Sequence, residues 1–218
     1  MQSAIHPYIE YTLLNPLVTD TQIDAAAQLA VQLQLGALCV PPYWVKKASR
    51  ETAGTSVQLT TVIGYPFGFQ RTEAKIAEME LAFADGAQSI ELMINLSAWK
   101  SNRMNWVKAE IARFAHLVHA REATFTVMTD GFRIGQAHEE EVFCKLCADA
   151  GADYVCLYPA FVSVSVPYSA IIHLRNLLPE SVGIKTWVEE DELTYVKFID
   201  AGTDLLCVPS VAFLEKTS

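Results

Sequence analysis

Two charged residues sit inside strand-like apolar runs. Glu91 lies within Ile90-Glu91-Leu92-Met93-Ile94-Asn95, and Lys185 within Gly183-Ile184-Lys185-Thr186-Trp187. A carboxylate or an ammonium in a run buried on both faces is costly unless it is paired. If the two runs face one another, Glu91 and Lys185 can pair and pass a proton between them. The plainer alternative is a structural ion pair in a packed interior. A lysine in such apolar surroundings would have a lowered pKa and could act as a nucleophilic amine at neutral pH. Cys156, in Tyr154-Val155-Cys156-Leu157-Tyr158, offers a thiol that Lys185 could activate by lowering its pKa. Asn95 adds a polar group at the end of the first run.

Other reactive residue types are less well placed. The five histidines do not converge along the chain, and His116 and His119 share a helical face that reads as solvated. Cys144 and Cys147 form a Cys-x-x-Cys inside the helical pattern 139–150, whereas a redox pair or zinc knuckle needs other surroundings. No ligand cluster is visible, so neither a metal nor an organic cofactor is expected. Cys39, Cys156 and Cys207 lie in apolar runs, where cysteine usually serves as a small hydrophobe.

The elements that must position these groups follow a recurring phrase. A helical pattern ends, Gly-Ala or a close relative follows, and a short apolar run begins: Gly36-Ala37, Gly86-Ala87, Gly151-Ala152 and Gly202-Thr203. Glycine suits the left-handed residue that ends a helix, and the run after it suits a strand buried on both faces. Strands are predicted near Ile9–Leu13, Ala37–Val40, Gln58–Ile63, Ser89–Asn95, Thr124–Thr129, Tyr154–Leu157, Gly183–Trp187 and Leu205–Val208. Helical patterns fill the gaps at Thr19–Leu33, Thr72–Ala84, Met104–Ala120, Gln136–Ala148, Val166–Leu178 and Glu189–Ile199, with a short one at Pro42–Ala53. Such alternation predicts an α/β fold, a (β/α)8 TIM barrel forming a single domain over residues 1–218. An open doubly wound sheet is the alternative, but the chain lacks a Gly-x-Gly-x-x-Gly turn. In a barrel the chemistry sits at the C-terminal strand ends.

The 218 residues are half apolar (51%) and one-fifth charged (19%), enough for a full core without disulfides. The net charge of -9 disfavours nonspecific nucleic-acid binding. The apolar runs are strand-sized, so no membrane span is expected. The N-terminus lacks the basic and apolar regions of a signal peptide, and the expected location is cytoplasmic. In a barrel the loops after the seventh and eighth strands usually hold phosphate. Here Trp187-Val188-Glu189-Glu190-Asp191-Glu192 is acidic, and Cys207-Val208-Pro209-Ser210 puts proline where a backbone donor would be wanted. The acidic run would also suit a first helical turn.

The chain resembles the deoxyribose-phosphate aldolase family along nearly its whole length. Ile9-Glu10-Tyr11-Thr12-Leu13-Leu14-Asn15-Pro16 is similar to the family's Ile-Asp-His-Thr-Leu-Leu-Lys-Pro. Thr61-Val62-Ile63-Gly64-Tyr65-Pro66-Phe67-Gly68 with Thr72-Glu73-Ala74-Lys75 resembles its Thr-Val-Ile-Gly-Phe-Pro-Leu-Gly and Thr-Glu-x-Lys. Leu38-Cys39-Val40-Pro41-Pro42, Glu91-Leu92-Met93-Ile94-Asn95 and Gly183-Ile184-Lys185 match further strand motifs. The resemblance implies class I aldolase chemistry, a carbon–carbon lyase. A strand-six lysine forms the imine, a strand-seven lysine perturbs it, and a strand-four aspartate moves protons. Lys185 and Glu91 match the last two. Cys156 stands at the imine lysine, and a thiol cannot form an imine. The Thr-Ser-Thr-Gly that follows in the family is Leu157-Tyr158-Pro159-Ala160 here, and the phosphate-loop glycines are Val188 and Glu189.

Candidate catalytic residues are therefore Lys185, Glu91 and Cys156. Candidate ligand contacts are Asn95, Cys39, Glu10, Thr12, Tyr158, Trp187 and Ser210. Three readings stand. The barrel has ceased to cleave 2-deoxyribose 5-phosphate and binds another small molecule, aldehyde- or sugar-like, at a mouth lined by Tyr154, Tyr158 and Trp187. Or Lys185 is the imine nucleophile for a substrate without phosphate. Or Cys156 is itself the nucleophile. A homodimer is compatible with the family pattern.

Overall fold

Each predicted apolar run forms a strand in a computed structural model of the chain, which describes residues 5–130, 137–158, 166–189 and 192–215. The strands are β1 (Ile9–Thr12), β2 (Ala37–Val40), β3 (Gln58–Ile63), β4 (Ser89–Met93), β5 (Thr124–Thr129), β6 (Tyr154–Leu157), β7 (Gly183–Trp187) and β8 (Leu205–Val208). They pair in sequence order, all parallel, and β8 closes on β1. The result is a (β/α)8 barrel. Every residue of β2 and β4 is buried, as runs with no polar alternation require when helices cover the outer face.

The helices are α1 (Asp20–Gln32), α2 (Val45–Thr52), α3 (Thr72–Ala84), α4 (Leu96–Lys100), α5 (Met104–His119), α6 (Ala137–Ala150), α7 (Tyr168–Leu177), α8 (Glu192–Asp200) and α9 (Ala212–Glu215). Thr19 caps α1 through a reciprocal box with Gln22, and Ile23, Ala26, Ala27 and Ala30 form its buried stripe. Of the region predicted as one short helix at Pro42–Ala53, Pro42–Trp44 is a 3-10 turn and α2 is the rest.

The sequence reading missed α4. It extended the fourth strand to Asn95, but β4 ends at Met93, and Asn95 Oδ1 accepts the Ala98 N–H at 3.0 Å to cap α4. Trp99 anchors this short helix by meeting Phe143 of α6 edge-on at 5.5 Å, both rings buried. Burial of a side chain such as Phe143 contributes about 1.5–3 kcal/mol, more than a five-residue helix could supply alone. Gly68 fits beneath the same turn. It has φ +65°, and a Cβ there would lie 2.0 Å from the Ile94 carbonyl oxygen.

Strand register fixes what faces the barrel axis. Cys156 is level with Lys185, Glu10 with Cys207, and Thr12 with Cys39. Residues paired across parallel strands share a face, and alternation by two carries that face along each strand. A second buried charge lies between barrel and helices: Lys75 of α3 donates to Glu110 of α5 and to the Met93 carbonyl, each at 2.9 Å.

Candidate functional site

The barrel axis holds one ammonium between two carboxylates. Lys185 Nζ on β7 donates to Glu10 Oε2 on β1 at 2.7 Å and to Glu91 Oε1 on β4 at 2.8 Å. The side chains of all three are at most 1% exposed. Tyr154 of β6 lies at 5.7 Å from the ammonium, its ring centroid beneath it. Gly183 makes room for that ring, since a Cβ at Gly183 would approach Tyr154 to 2.4 Å. Glu10 also accepts from Thr12 Oγ1 at 3.2 Å and from the Cys207 thiol at 3.3 Å.

This arrangement reverses the expected lysine chemistry. Burial alone pulls the Lys185 pKa down, but Glu10 and Glu91 outweigh it and hold it well above the usual lysine value. The resting residue is an ammonium, which has no lone pair for a carbonyl. Glu91 carries the complementary change. Burial and the neighbouring Glu10 push its pKa up to about 7, against the pull of Lys185. A carboxyl of that pKa can take or give a proton near neutral pH.

The thiols are likewise not activated. Cys156 is buried and hydrogen-bonded to Cys207, a contact that lowers its pKa. Burial and Glu91 override that contact and leave the pKa raised, despite Lys185 nearby. Burial, Glu91 and Glu10 also raise the Cys39 thiol well above its ordinary value. The Glu10, Cys39 and Glu91 ligand atoms all lie within 4.8 Å of one another. The Lys185 ammonium already lies within hydrogen-bonding distance of both carboxylates, where a metal ion would otherwise be needed to balance them.

Above the charges lies an aromatic cover. Tyr158 meets Tyr65 edge-on at 5.8 Å and Trp187 at 4.7 Å. Tyr158 and Trp187 are nearly buried beneath a mouth cavity of about 760 Å³. Thr12, Tyr65, Tyr158, Trp187 and Glu189 line it, together with residues of the segment after β1 and of α1 that are mostly apolar but include Asn15 and Gln22. Glu189 accepts the Trp187 indole N–H at 3.1 Å.

The predicted residues thus divide into groups. Lys185, Glu91, Glu10, Cys39 and Cys156 converge on the axis, and Thr12, Tyr158 and Trp187 form the mouth. Asn95 instead spends its side-chain oxygen capping α4, and Ser210 is exposed and accepts the Ala212 N–H of α9 at 3.3 Å. Tyr154, expected at the mouth, lies at the opposite end of its strand, below Lys185. Pro159, Ala160, Glu190 and Asp191 lie outside the described residues. The sequence reading missed Tyr65 and Cys207. Tyr65 sits in the Gly64-Tyr65-Pro66 motif, whose sequence signal is that of scaffold, and the sequence presents Cys207 as an apolar filler and as the start of the strand-eight loop. Its inward position could have been inferred from its place in the β8 run.

Known proteins are similar across this whole length. Deoxyribose-phosphate aldolase of Brevibacillus brevis is 34% identical over 200 residues, 91% of this chain and 89% of its own length. The enzyme of that name from Lactiplantibacillus plantarum is 29% identical over 97% of this chain and 99% of its own. Among solved structures, the aldolase QR15 superposes with a TM-score of 0.89 at 25% identity, covering 98% of this chain and 95% of its own. The deoxyribose phosphate aldolase of Aeropyrum pernix, described as a unique tetramer, shares the fold with a TM-score of 0.90 at 21% identity, over 99% of this chain and 92% of its own. No protein-family model matches the chain. No helix among the described residues is long and apolar enough to cross a membrane.

Proposed function

The chain belongs to the deoxyribose-phosphate aldolase family, and from that premise we propose that it has lost cleavage of 2-deoxyribose 5-phosphate and uses its mouth for a small ligand without phosphate. The observation that carries this reading is the state of Lys185. It is buried, bonded to two carboxylates, and held as an ammonium. The family's other lysine position is Cys156, whose thiol cannot form an imine. The mouth supports the same reading, because Glu189 and Pro209 line it where a phosphate would want backbone donors and positive charge.

A second reading keeps the lyase. Glu91, with a pKa of about 7 and 2.8 Å from Lys185 Nζ, could accept the lysine's proton and free an amine for a different aldehyde. It requires the ammonium to give up a proton that two carboxylates retain. It also requires the Tyr65–Tyr158–Trp187 cover to open.

The test is a retro-aldol assay with 2-deoxyribose 5-phosphate, following acetaldehyde release, with borohydride trapping read by mass spectrometry. The expected result is no turnover above background and no adduct on Lys185. Turnover that disappears in Lys185→Ala, or a reduced adduct on Lys185, would overturn the first reading in favour of the second.

A further inference from the structure

The walls of the mouth have a consistent electrostatic sign. Tyr11, Tyr65, Tyr158 and Trp187 contribute ring surface, and Glu189 contributes a carboxylate. No lysine, arginine or histidine is among the described lining residues. Tyr158 stands at 82° to Tyr65 and 64° to Trp187, so neighbouring rings form adjoining walls. The Trp187 indole N–H holds the Glu189 carboxylate at 3.1 Å, fixing negative charge beside the indole. Below the cover, two carboxylates share one ammonium.

Ring faces carry negative quadrupole potential and attract cations, most strongly at tryptophan. Carboxylates add to this attraction, and the partial burial of the walls limits screening by water. The segment after β1 and α1 contribute mainly apolar lining, Leu13, Leu14, Val18, Ala26 and Leu29, together with the uncharged amides of Asn15 and Gln22. A metal ion would need several carboxylates there, and Glu189 is the one carboxylate among the described lining residues. A methylated ammonium has few or no N–H groups to satisfy and buries its methyls against apolar walls. We infer that the mouth binds an organic cation, a quaternary or N-methylated ammonium. This rests on the reading of the mouth as a ligand site without phosphate, and it names the class of ligand.

The test uses the full chain at constant ionic strength, titrated calorimetrically with choline chloride and with its uncharged isostere 3,3-dimethylbutan-1-ol. Choline is expected to bind at least about tenfold more tightly, the advantage of a desolvated cation against rings and a carboxylate. Trp187→Leu should weaken choline by about tenfold, and Glu189→Gln should weaken choline several-fold while leaving the alcohol unchanged. Equal or tighter binding of the alcohol would overturn the inference, as would choline affinity unmoved in Trp187→Leu. So would the absence of saturable choline binding up to about 10 mM. Turnover of 2-deoxyribose 5-phosphate would instead overturn the functional reading, whatever choline does, so the two failures are separable.

Discussion

The titration of Glu91 should be visible in the stability of the whole chain. Its side chain is 1% exposed and 2.8 Å from Lys185, and its pKa is raised from 4.5 to about 7 by burial and by Glu10. The folded state therefore binds this proton more tightly than the unfolded chain does. Its stabilising contribution is complete below about pH 4.5 and is lost as pH rises through about 7. At 1.36 kcal/mol per pH unit, the gap between those two values is worth about 3 kcal/mol. That is a large share of the 5–15 kcal/mol typical of a domain, roughly speaking. Urea unfolding followed by circular dichroism, at a series of values from about pH 4.5 to pH 8, should be run on wild type and Glu91→Gln. Titrating groups remote from this charged layer are common to both proteins and cancel in the difference between the two curves, which reports position 91 with the neighbours coupled to it. Wild type should lose about 3 kcal/mol relative to the variant across that window. Parallel curves would refute the reasoning. So would a wild type that gains on the variant as pH rises, because that is the sign of a depressed carboxylate pKa, held down by Lys185.

Two further outcomes follow from the same geometry. Lys185→Met leaves Glu10 and Glu91 buried without their cation and should cost about 3–5 kcal/mol at pH 8 in urea unfolding, most of it recovered on adding Glu10→Gln and Glu91→Gln; a loss under about 1 kcal/mol would show that the charges are not buried together. Cys39, Cys144, Cys147, Cys156 and Cys207 are all buried free thiols, so Ellman's reagent at pH 8 should modify the folded protein at least about 100-fold more slowly than the denatured chain. Fast labelling that maps to Cys156 would revive it as a nucleophile.

Much of the barrel was legible because its strands are buried on both faces. β2, β3, β5, β6, β7 and β8 start and stop where the apolar runs do. The fourth strand was overextended because Ile94-Asn95 continues an apolar run, while the signal that ends it is a side-chain cap directed at Ala98, three residues ahead. The approach of Glu91 to Lys185 could be anticipated from two charges in buried strands. The number of carboxylates could not. Glu10 reaches Lys185 only because β8 closes on β1, a contact between chain ends that no local period encodes. That miscount inverted the lysine's expected pKa. The error over Tyr154 has a similar origin. A period of two puts Tyr154, Cys156 and Tyr158 on one face, but it does not say that the first lies on the far side of the charged layer from the mouth.

The departures from the family pattern are linked by charge. Two lysines at positions 156 and 185 would balance Glu10 and Glu91, and either could then lose a proton without leaving both carboxylates uncompensated. With Cys156 in place, one ammonium serves two carboxylates. The excess negative charge is met where it can be, by proton uptake at Glu91 and by thiols that resist ionisation. It also fixes the proton on Lys185, since releasing it would leave the layer without any cation. On the reading proposed above, absence of a lysine at 156 and the fixed proton at Lys185 would then have one electrostatic cause. An interior of this sign would give an anionic ligand at the mouth little electrostatic gain. Glu189 beside Trp187 extends the same sign outward to the rim, so the residues at position 156 and at the rim both act in the electrostatic direction that the proposed function requires.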